Sequence, residues 1–294
     1  PAHQRSAILM NAAALADERS EEIAQIISSE NGKSLLEARG EAGRSGEIIR
    51  LGAFEGSQLY GTSLPLDANK GTGQEKLGFT LRQPVGVVVA ISPFNYPALL
   101  VLHKLAPALG SGNSVVLKPA RATPLTALAL AQCFTDAGLP DGVLNVITGA
   151  GGELGDALVS DPRVRKISFT GSTAVGRILM QQSANTVKKL SLELGGNAPF
   201  IIFDDCDMDA AIEGLMLGKF RNTGQVCVSP NRIYVQEKIY DVFVKRAANE
   251  IKKLTIGDGL KGETQLGPLI DDAAVSKVEE HIKDAVAKGA KVEL

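Results

Sequence analysis

Three side chains of this chain can do covalent chemistry if the fold brings them together. Cys227 stands in Gly224-Gln225-Val226-Cys227-Val228-Ser229. A thiol becomes a nucleophile once its proton is removed, and a residue as small as Gly224 lets a substrate come close. The plainer alternative is a small buried hydrophobe, the usual fate of a free cysteine. Glu193 stands in Leu192-Glu193-Leu194-Gly195-Gly196-Asn197. Burial of a carboxylate in such an apolar run would raise its pKa and favour base work on water. The alternative is an element-end glutamate reaching solvent. Asn95 stands in Ser92-Pro93-Phe94-Asn95-Tyr96-Pro97, directly after a strand-like run. Its NH₂ group can steady an oxyanion, or the residue can simply serve a turn between prolines.

Two further segments suit an anionic ligand. Lys118 ends the run Ser114–Lys118 and is followed by Pro119. Its ammonium can meet ribose hydroxyls or phosphate, or it can be an ordinary solvated lysine. Phe169-Thr170-Gly171-Ser172-Thr173-Ala174-Val175-Gly176 joins a predicted strand to a predicted helix. Gly171 permits a tight turn, and the amides that open the helix face an anion. The spacing is G-x-x-x-x-G, not the dinucleotide fingerprint G-x-G-x-x-G. It is not a P-loop either, because Arg177-Ile178 stands where Lys-Ser/Thr would be.

The elements that must position these residues follow from periodicity. Ala7, Ile8, Ala12, Leu15, Ile23, Ile26 and Ile27 recur at helical spacing, and a second amphipathic stretch covers 33–54. Residues 62–83 differ. A polar stretch, residues 67–73, separates two short runs, and Leu77, Phe79 and Leu81 alternate with Gly78, Thr80 and Arg82. This predicts a β-hairpin, marginal on its own and expected to lean on another surface. Val85–Ile91 has the continuous apolar pattern of a strand buried on both faces. Strands at 114–118, 143–147, 166–169 and 189–193 then alternate with helices at 97–109, from Thr123-Pro124 onward, 153–160 and 173–184. Thr123 is the expected N-cap, with Pro124 at the first helical position. Repeated β–α alternation predicts an α/β fold with a doubly wound parallel sheet, whose sites gather at the strands' carboxyl ends.

Strands at 199–203 and 231–235, with helices at 208–220, 238–253 and 272–288, complete a second unit. The expected division is 1–195 and 196–294. Lys288-Gly289 suits a helix end, and Lys291–Leu294 opens a strand-like run. Pro1 stands directly before a helix. Both ends are therefore expected to be cut from a longer chain.

A length of 294 residues suggests about two domains at roughly 150 residues each. With 44% apolar and 22% charged residues there is enough for a large core. The net charge of −2 supplies no basic field, which disfavours nucleic acid and anionic membranes as partners. No apolar run approaches the ~20 residues of a membrane helix. Three cysteines, odd in number and far apart, form no disulfide framework and suggest a reducing, cytoplasmic compartment.

Taken together, Asn95, Lys118, the Phe-Thr-Gly-Ser turn, Leu-Glu-Leu-Gly-Gly-Asn and Gly-Gln-x-Cys-x-x-x-x-Arg, ending at Arg232, occur in a fixed order. In this the sequence resembles the aldehyde dehydrogenase superfamily, and within it the succinate-semialdehyde branch. The resemblance covers essentially all 294 residues. It implies a Rossmann-variant cofactor domain, a partial α/β catalytic domain and an oligomerisation hairpin at about 62–83.

By this resemblance Cys227 is the nucleophile, Asn95 and the Cys227 amide hold the oxyanion, and Glu193 activates water. Lys118 contacts the adenosine ribose. Phe169, Thr170, Gly171, Ser172, Gly176 and Gly195 belong to the cofactor site. Where NAD-preferring members often carry a glutamate, Arg121 stands here. A guanidinium welcomes a 2′-phosphate, so NADP is expected to be favoured over NAD. Arg221 matches an arginine that binds the substrate's distal carboxylate, whereas a second arginine of that branch falls on His103. Ser229 occupies the place of a cysteine that, in some members, pairs with the nucleophile. No metal is implied, and a homodimer or homotetramer is. A later glutamate-bearing loop and a final strand of the family are not in the sequence. The competing readings are a CoA-acylating relative, which commonly lacks the Glu base, a cysteine hydrolase, which would want a Cys–His pair, and an inactive fragment on the same fold.

Overall fold

The computed structural model describes residues 1–71 and 73–294. Four helices open the chain: α1 (Ala2–Glu18), α2 (Ser20–Asn31), α3 (Leu35–Ala42) and α4 (Ser45–Ser57). The apolar periodicity of the first sixty residues is thus interrupted by corners. At the second corner Gly32 ends α2 at φ +87°, and the Ser34 hydroxyl caps α3 by accepting from Glu37 N. The buried stripe of α1 is Leu9, Ala12, Ala13 and Ala16; Ala7, expected on it, is exposed.

The predicted hairpin is reduced to two residue pairs, between β1 (Ser63–Leu64) and β2 (Gly78–Phe79). Leu77, Phe79 and Leu81 are exposed. Thr72, part of the stretch expected to turn, lies outside the described residues.

Five parallel strands form the main sheet: β3 (Val87–Ile91), β4 (Ser114–Lys118), β5 (Leu144–Val146), β6 (Val164–Gly171) and β7 (Lys189–Leu194). Their order is β5-β4-β3-β6-β7. The chain therefore reverses its direction of travel across the sheet between β3 and β6, the kind of switch point where ligands bind. Helices α5 (Leu99–Gly110) and α6 (Leu125–Asp136) pack with α1–α4 on one face, burying Val88, Ala90, Val115 and Leu117. Helices α7 (Gly151–Ser160) and α8 (Thr173–Ser183) cover the other, where Val89, Ile167, Phe169 and Leu179 meet. The period-2 alternation of the central strands feeds both cores, as a doubly wound sheet requires.

Glycines allow α4 to lie directly against α5. A Cβ on Gly56 would sit 2.5 Å from the main-chain oxygen of Gly110. The start of α6 is capped differently from expectation. Among the described residues the buried Thr123 hydroxyl has no hydrogen-bond partner, and Pro124 takes the cap position. The Glu30 carboxylate, from the end of α2, accepts instead from Leu125 N and Thr126 N at 2.7 and 2.9 Å. A charged acceptor delivered by packing displaces the local cap.

Beyond the main sheet, β8 (Ala198–Ile202) and β9 (Pro230–Val235) pair in parallel. With α9 (Met208–Phe220) and α10 (Tyr240–Ile251) they enclose a third core of Ile202, Ile212, Leu215, Phe243 and Ala247. Helix α11 (Asp272–Ala287) buries no residue. The strand expected to open at Lys291 does not form; residues 291–294 are irregular.

Candidate active site

Asn95 follows the carboxyl end of β3. Its Nδ2 donates to Gln225 O at 3.0 Å, and its Oδ1 accepts from Tyr96 N at 3.1 Å. A carboxamide NH₂ has two protons, so one remains for another acceptor.

Cys227 is exposed and lies in the loop after α9. The turn leading to it is strained: Asn222 and Thr223, neither of them glycine, adopt φ +48° and +55°. Such geometry persists only where the surroundings hold it. Here Asn222 N donates to Glu37 at 2.9 Å, and Asn222 Nδ2 donates to Asn95 O at 3.1 Å. Thr223 Oγ1 donates to Gly267 O at 3.0 Å, and Gln225 Oε1 accepts from Ile270 N at 3.0 Å. Ser229 Oγ, buried, donates to Lys219 O at 3.2 Å and anchors the far side of the loop. Among the described residues the Cys227 N–H donates to no protein acceptor. It is free for an oxyanion.

Glu193 is exposed, as the solvent-reaching alternative has it. On β7, Leu190, Leu192 and Leu194 turn to the second core, so period 2 sends Lys189, Ser191 and Glu193 to the opposite face. The register sets Thr170 of β6 opposite Glu193, and Lys166 and Ser168 share that face. The carboxylate reaches the cleft because it is on the polar face of an edge strand.

A cleft of about 1790 Å³ brings together Asn95, Glu193 and Cys227. Its walls also include Phe169, Thr170, Gly171, Ser172, Gly195 and His103. Lys118, Arg121, Gly176 and Arg221 are not on these walls. Lys118 is buried at 6% exposure, which excludes the solvated reading, and burial pulls its pKa down. Arg121 is exposed on the following loop. Arg221 is exposed at the end of α9 and acts electrostatically on Tyr96 and Glu37. Gly176 has a packing reason: a Cβ there would meet Leu194 Cδ2 at 2.8 Å, so glycine lets α8 lie on β7. Phe169 is buried in the second core. Ser172 caps α8, its Oγ accepting from Val175 N at 3.3 Å, so one of the amides expected to face an anion is already satisfied.

Sequence reading missed Lys104. It is 5% exposed on α5, and its Nζ donates to Thr170 Oγ1 at 2.6 Å. Desolvation pulls its pKa down to about 8, opposed by the nearby Glu193 charge. A lysine within the apolar run Leu99–Leu105 was the available signal. Also missed was the corner between α2 and α3, whose side chains reach the loops carrying both Asn95 and Cys227. Among the described residues, no group of three or more His, Cys, Asp or Glu is placed to hold a metal ion. Among the described residues no helix is long and apolar enough to cross a membrane.

Over residues 1–294 the chain matches the pattern of the Aldehyde dehydrogenase family. It is 50% identical over 291 residues to succinate-semialdehyde dehydrogenase [NADP(+)] GabD of Escherichia coli K12, covering 99% of this chain and 59% of that protein. Against glutarate-semialdehyde dehydrogenase of Pseudomonas putida KT2440 the identity is 49%, covering 99% and 60%. The crystal structure of an E. coli NADP dependent enzyme superposes with a TM-score of 0.96 at 49% identity, covering 100% of this chain and 60% of that one. The chain thus spans about 60% of the length of the relatives it matches. Because the match runs from residue 1 to residue 294 and extends to the backbone itself, the chain belongs to the aldehyde dehydrogenase family.

Proposed function

We propose that this chain carries the nucleophile, the base and the cofactor crevice of an enzyme that oxidises a small anionic semialdehyde to its acid with NADP, or less readily NAD. The observation that supports this best is the meeting of Cys227, Asn95 and Glu193 in one cleft.

The Cys227 thiolate adds to the aldehyde carbon, and the carbonyl oxygen becomes an oxyanion. The free proton of Asn95 Nδ2 and the Cys227 N–H stabilise it. One such donor contributes roughly 3–4 kcal/mol to the transition state. When bound, the nicotinamide supplies the hydride acceptor, and loss of hydride leaves a thioester on Cys227. Glu193 takes a proton from water, the hydroxyl attacks the thioester carbon, and the acid leaves with the thiolate restored. A carboxylate in solvent contact suits this water-activating role. The same residue argues against a CoA-acylating enzyme, in which the thioester would pass to a thiol.

The carboxyl ends of β3 and β4 are the proposed seat of the dinucleotide. Lys118 is buried there, and the hydroxyl of Ser92, whose N–H donates to Lys118 O at 3.2 Å, is buried with no partner. The first amides of α6 are held by Glu30, so a 2′-phosphate must rely on a side-chain cation. Arg121 is that cation, and this supports NADP as the preferred cofactor. Arg221, with His103 on the cleft wall, is the proposed contact to the substrate's distal anion. The exposed Leu77, Phe79 and Leu81 of the hairpin support a role in oligomerisation.

The test is a panel of aldehydes with both cofactors on the full-length protein, with the product identified as acid or acyl-CoA. Glu193→Gln is expected to give one burst of reduced cofactor and then stall at the thioester. Steady turnover in that variant removes Glu193 from the role of base.

A further inference from the structure

The α2–α3 corner contributes no wall to the cleft, yet its side chains and main chain hold loops that line the cleft or lie beside it. Asn31 Nδ2 donates to Phe94 O at 2.9 Å. Lys33 Nζ donates to Asn95 O at 2.7 Å. Leu35 N donates to Gly259 O at 2.8 Å, and Glu37 accepts from Asn222 N. The centre of this arrangement is the main-chain oxygen of Asn95, which accepts from Lys33 on one side and from Asn222 Nδ2 on the other.

Lys33 is wholly buried. Its ammonium pairs with Glu41 at 2.7 Å, with side-chain exposures of 0% and 1%, and lies 4.1 Å above the centre of the Tyr96 ring. The other Glu41 oxygen accepts from Ala98 N and Leu99 N at the start of α5. A buried ion pair is seldom worth more to stability than apolar residues of the same shape. What it supplies here is directional: Glu41 holds one N–H of the ammonium while another is aimed at a single carbonyl.

Resting on the reading of Asn95 given above, we propose that Lys33 and Asn222 are positioning residues that clamp the Asn95 carbonyl and so fix where its carboxamide points. With Phe94 O, Asn95 O and Asn95 Oδ1 all engaged, the Asn95 NH₂ has one direction open to it. A shift of that group by about 1 Å is enough to cost on the order of a hundredfold in rate.

The test uses the full-length enzyme with NADP and succinate semialdehyde as probe. The variants are Lys33→Met with Glu41→Gln, which leaves no unpaired buried charge, and Asn222→Ala, each made alone and together with Asn95→Ala. The expected result is a fall in kcat of about 10- to 100-fold with KM changed by less than about threefold. NADP affinity by fluorescence titration stays as in the wild type. So does alkylation of Cys227 by iodoacetamide, a reaction that develops no oxyanion. Adding Asn95→Ala to either variant costs nothing further than Asn95→Ala alone. Losses that multiply, alkylation that falls in step with kcat, or an unchanged kcat in both variants overturn the clamp. If the Lys33 variant does not fold, the Asn222 cycle decides the matter alone. Wild-type kcat in Asn95→Ala itself would overturn the oxyanion reading, and the clamp with it; loss in Asn95→Ala with none in the clamp variants overturns only the clamp.

Discussion

The side-chain amide of Asn95 donates to the main-chain oxygen of Gln225 at 3.0 Å, joining residues 130 positions apart in sequence. This bond ties the loop after β3 to the loop that presents Cys227. It spends one of the two amide protons on architecture and leaves the other for chemistry.

Because Cys227 is exposed and fills no part of a core, replacing it tests chemistry without testing the fold. Cys227→Ala is expected to abolish aldehyde oxidation while the thermal midpoint moves by no more than about 2 °C, as for a surface change within ±0.5 kcal/mol. Dinucleotide binding, read by fluorescence titration, stays intact. Residual turnover above background would remove Cys227 from the mechanism.

Arg121 offers a positive charge where Glu30 has already taken the α6 amides. Reversing it to glutamate replaces attraction for a 2′-phosphate by repulsion. Arg121→Glu is expected to shift the ratio of kcat/KM for NADP over NAD toward NAD by about 10- to 100-fold, the span of about 1.4 to 2.8 kcal/mol that a charge-assisted bond supplies. An unchanged ratio would count against the assignment of NADP.

Lys104 is buried with its pKa drawn from 10.5 down to about 8 by desolvation. Between these values the unfolded chain holds a proton that the folded chain has released, so stability rises with pH through that window. Below about 8 both states are protonated and the cost of burying the charge is fully present. The gain across the window is at most on the order of 3 kcal/mol. Thermal unfolding of wild type and Lys104→Met at pH 7.5, 8.5 and 9.5 checks this. The difference between them should change in the wild type's favour as pH rises, and a constant difference would refute it.

Gly267 passes so close to the α2–α3 corner that a Cβ would lie 1.7 Å from the main-chain oxygen of Gly32. Backbone cannot yield as a side chain does. Gly267→Ala is therefore expected to destabilise by at least about 1–3 kcal/mol, the range for overpacking. It should also lower kcat, because Gly267 O accepts from Thr223 in the nucleophile loop. An unchanged thermal midpoint would show that the corner gives way.

Features that depend on neighbours a few residues away are legible in the order of the amino acids. The alternation of apolar strands and amphipathic helices specified a parallel, doubly wound sheet, and the strand ends carried Asn95, Lys118 and the Thr170–Ser172 turn to its edge. Hydrophobic periods of 2 and 3.6 are local quantities, so local reading recovers them. Period 2 also dictated that Glu193 and the leucines beside it face opposite ways, although only the packing of α8 against the leucine face of β7 decided which of them met solvent. Tertiary packing alone decided the rest. Glu30 displaced Thr123 as the cap of α6, Lys104 was drawn to Thr170, and the α2–α3 corner was set against loops far along the chain, with Glu37 bound to Asn222 and Gly32 against Gly267. These contacts join segments whose distance in sequence carries no periodic signal. Only the packing of two cores on the main sheet and a third beside the β8–β9 pair brings them within hydrogen-bond reach.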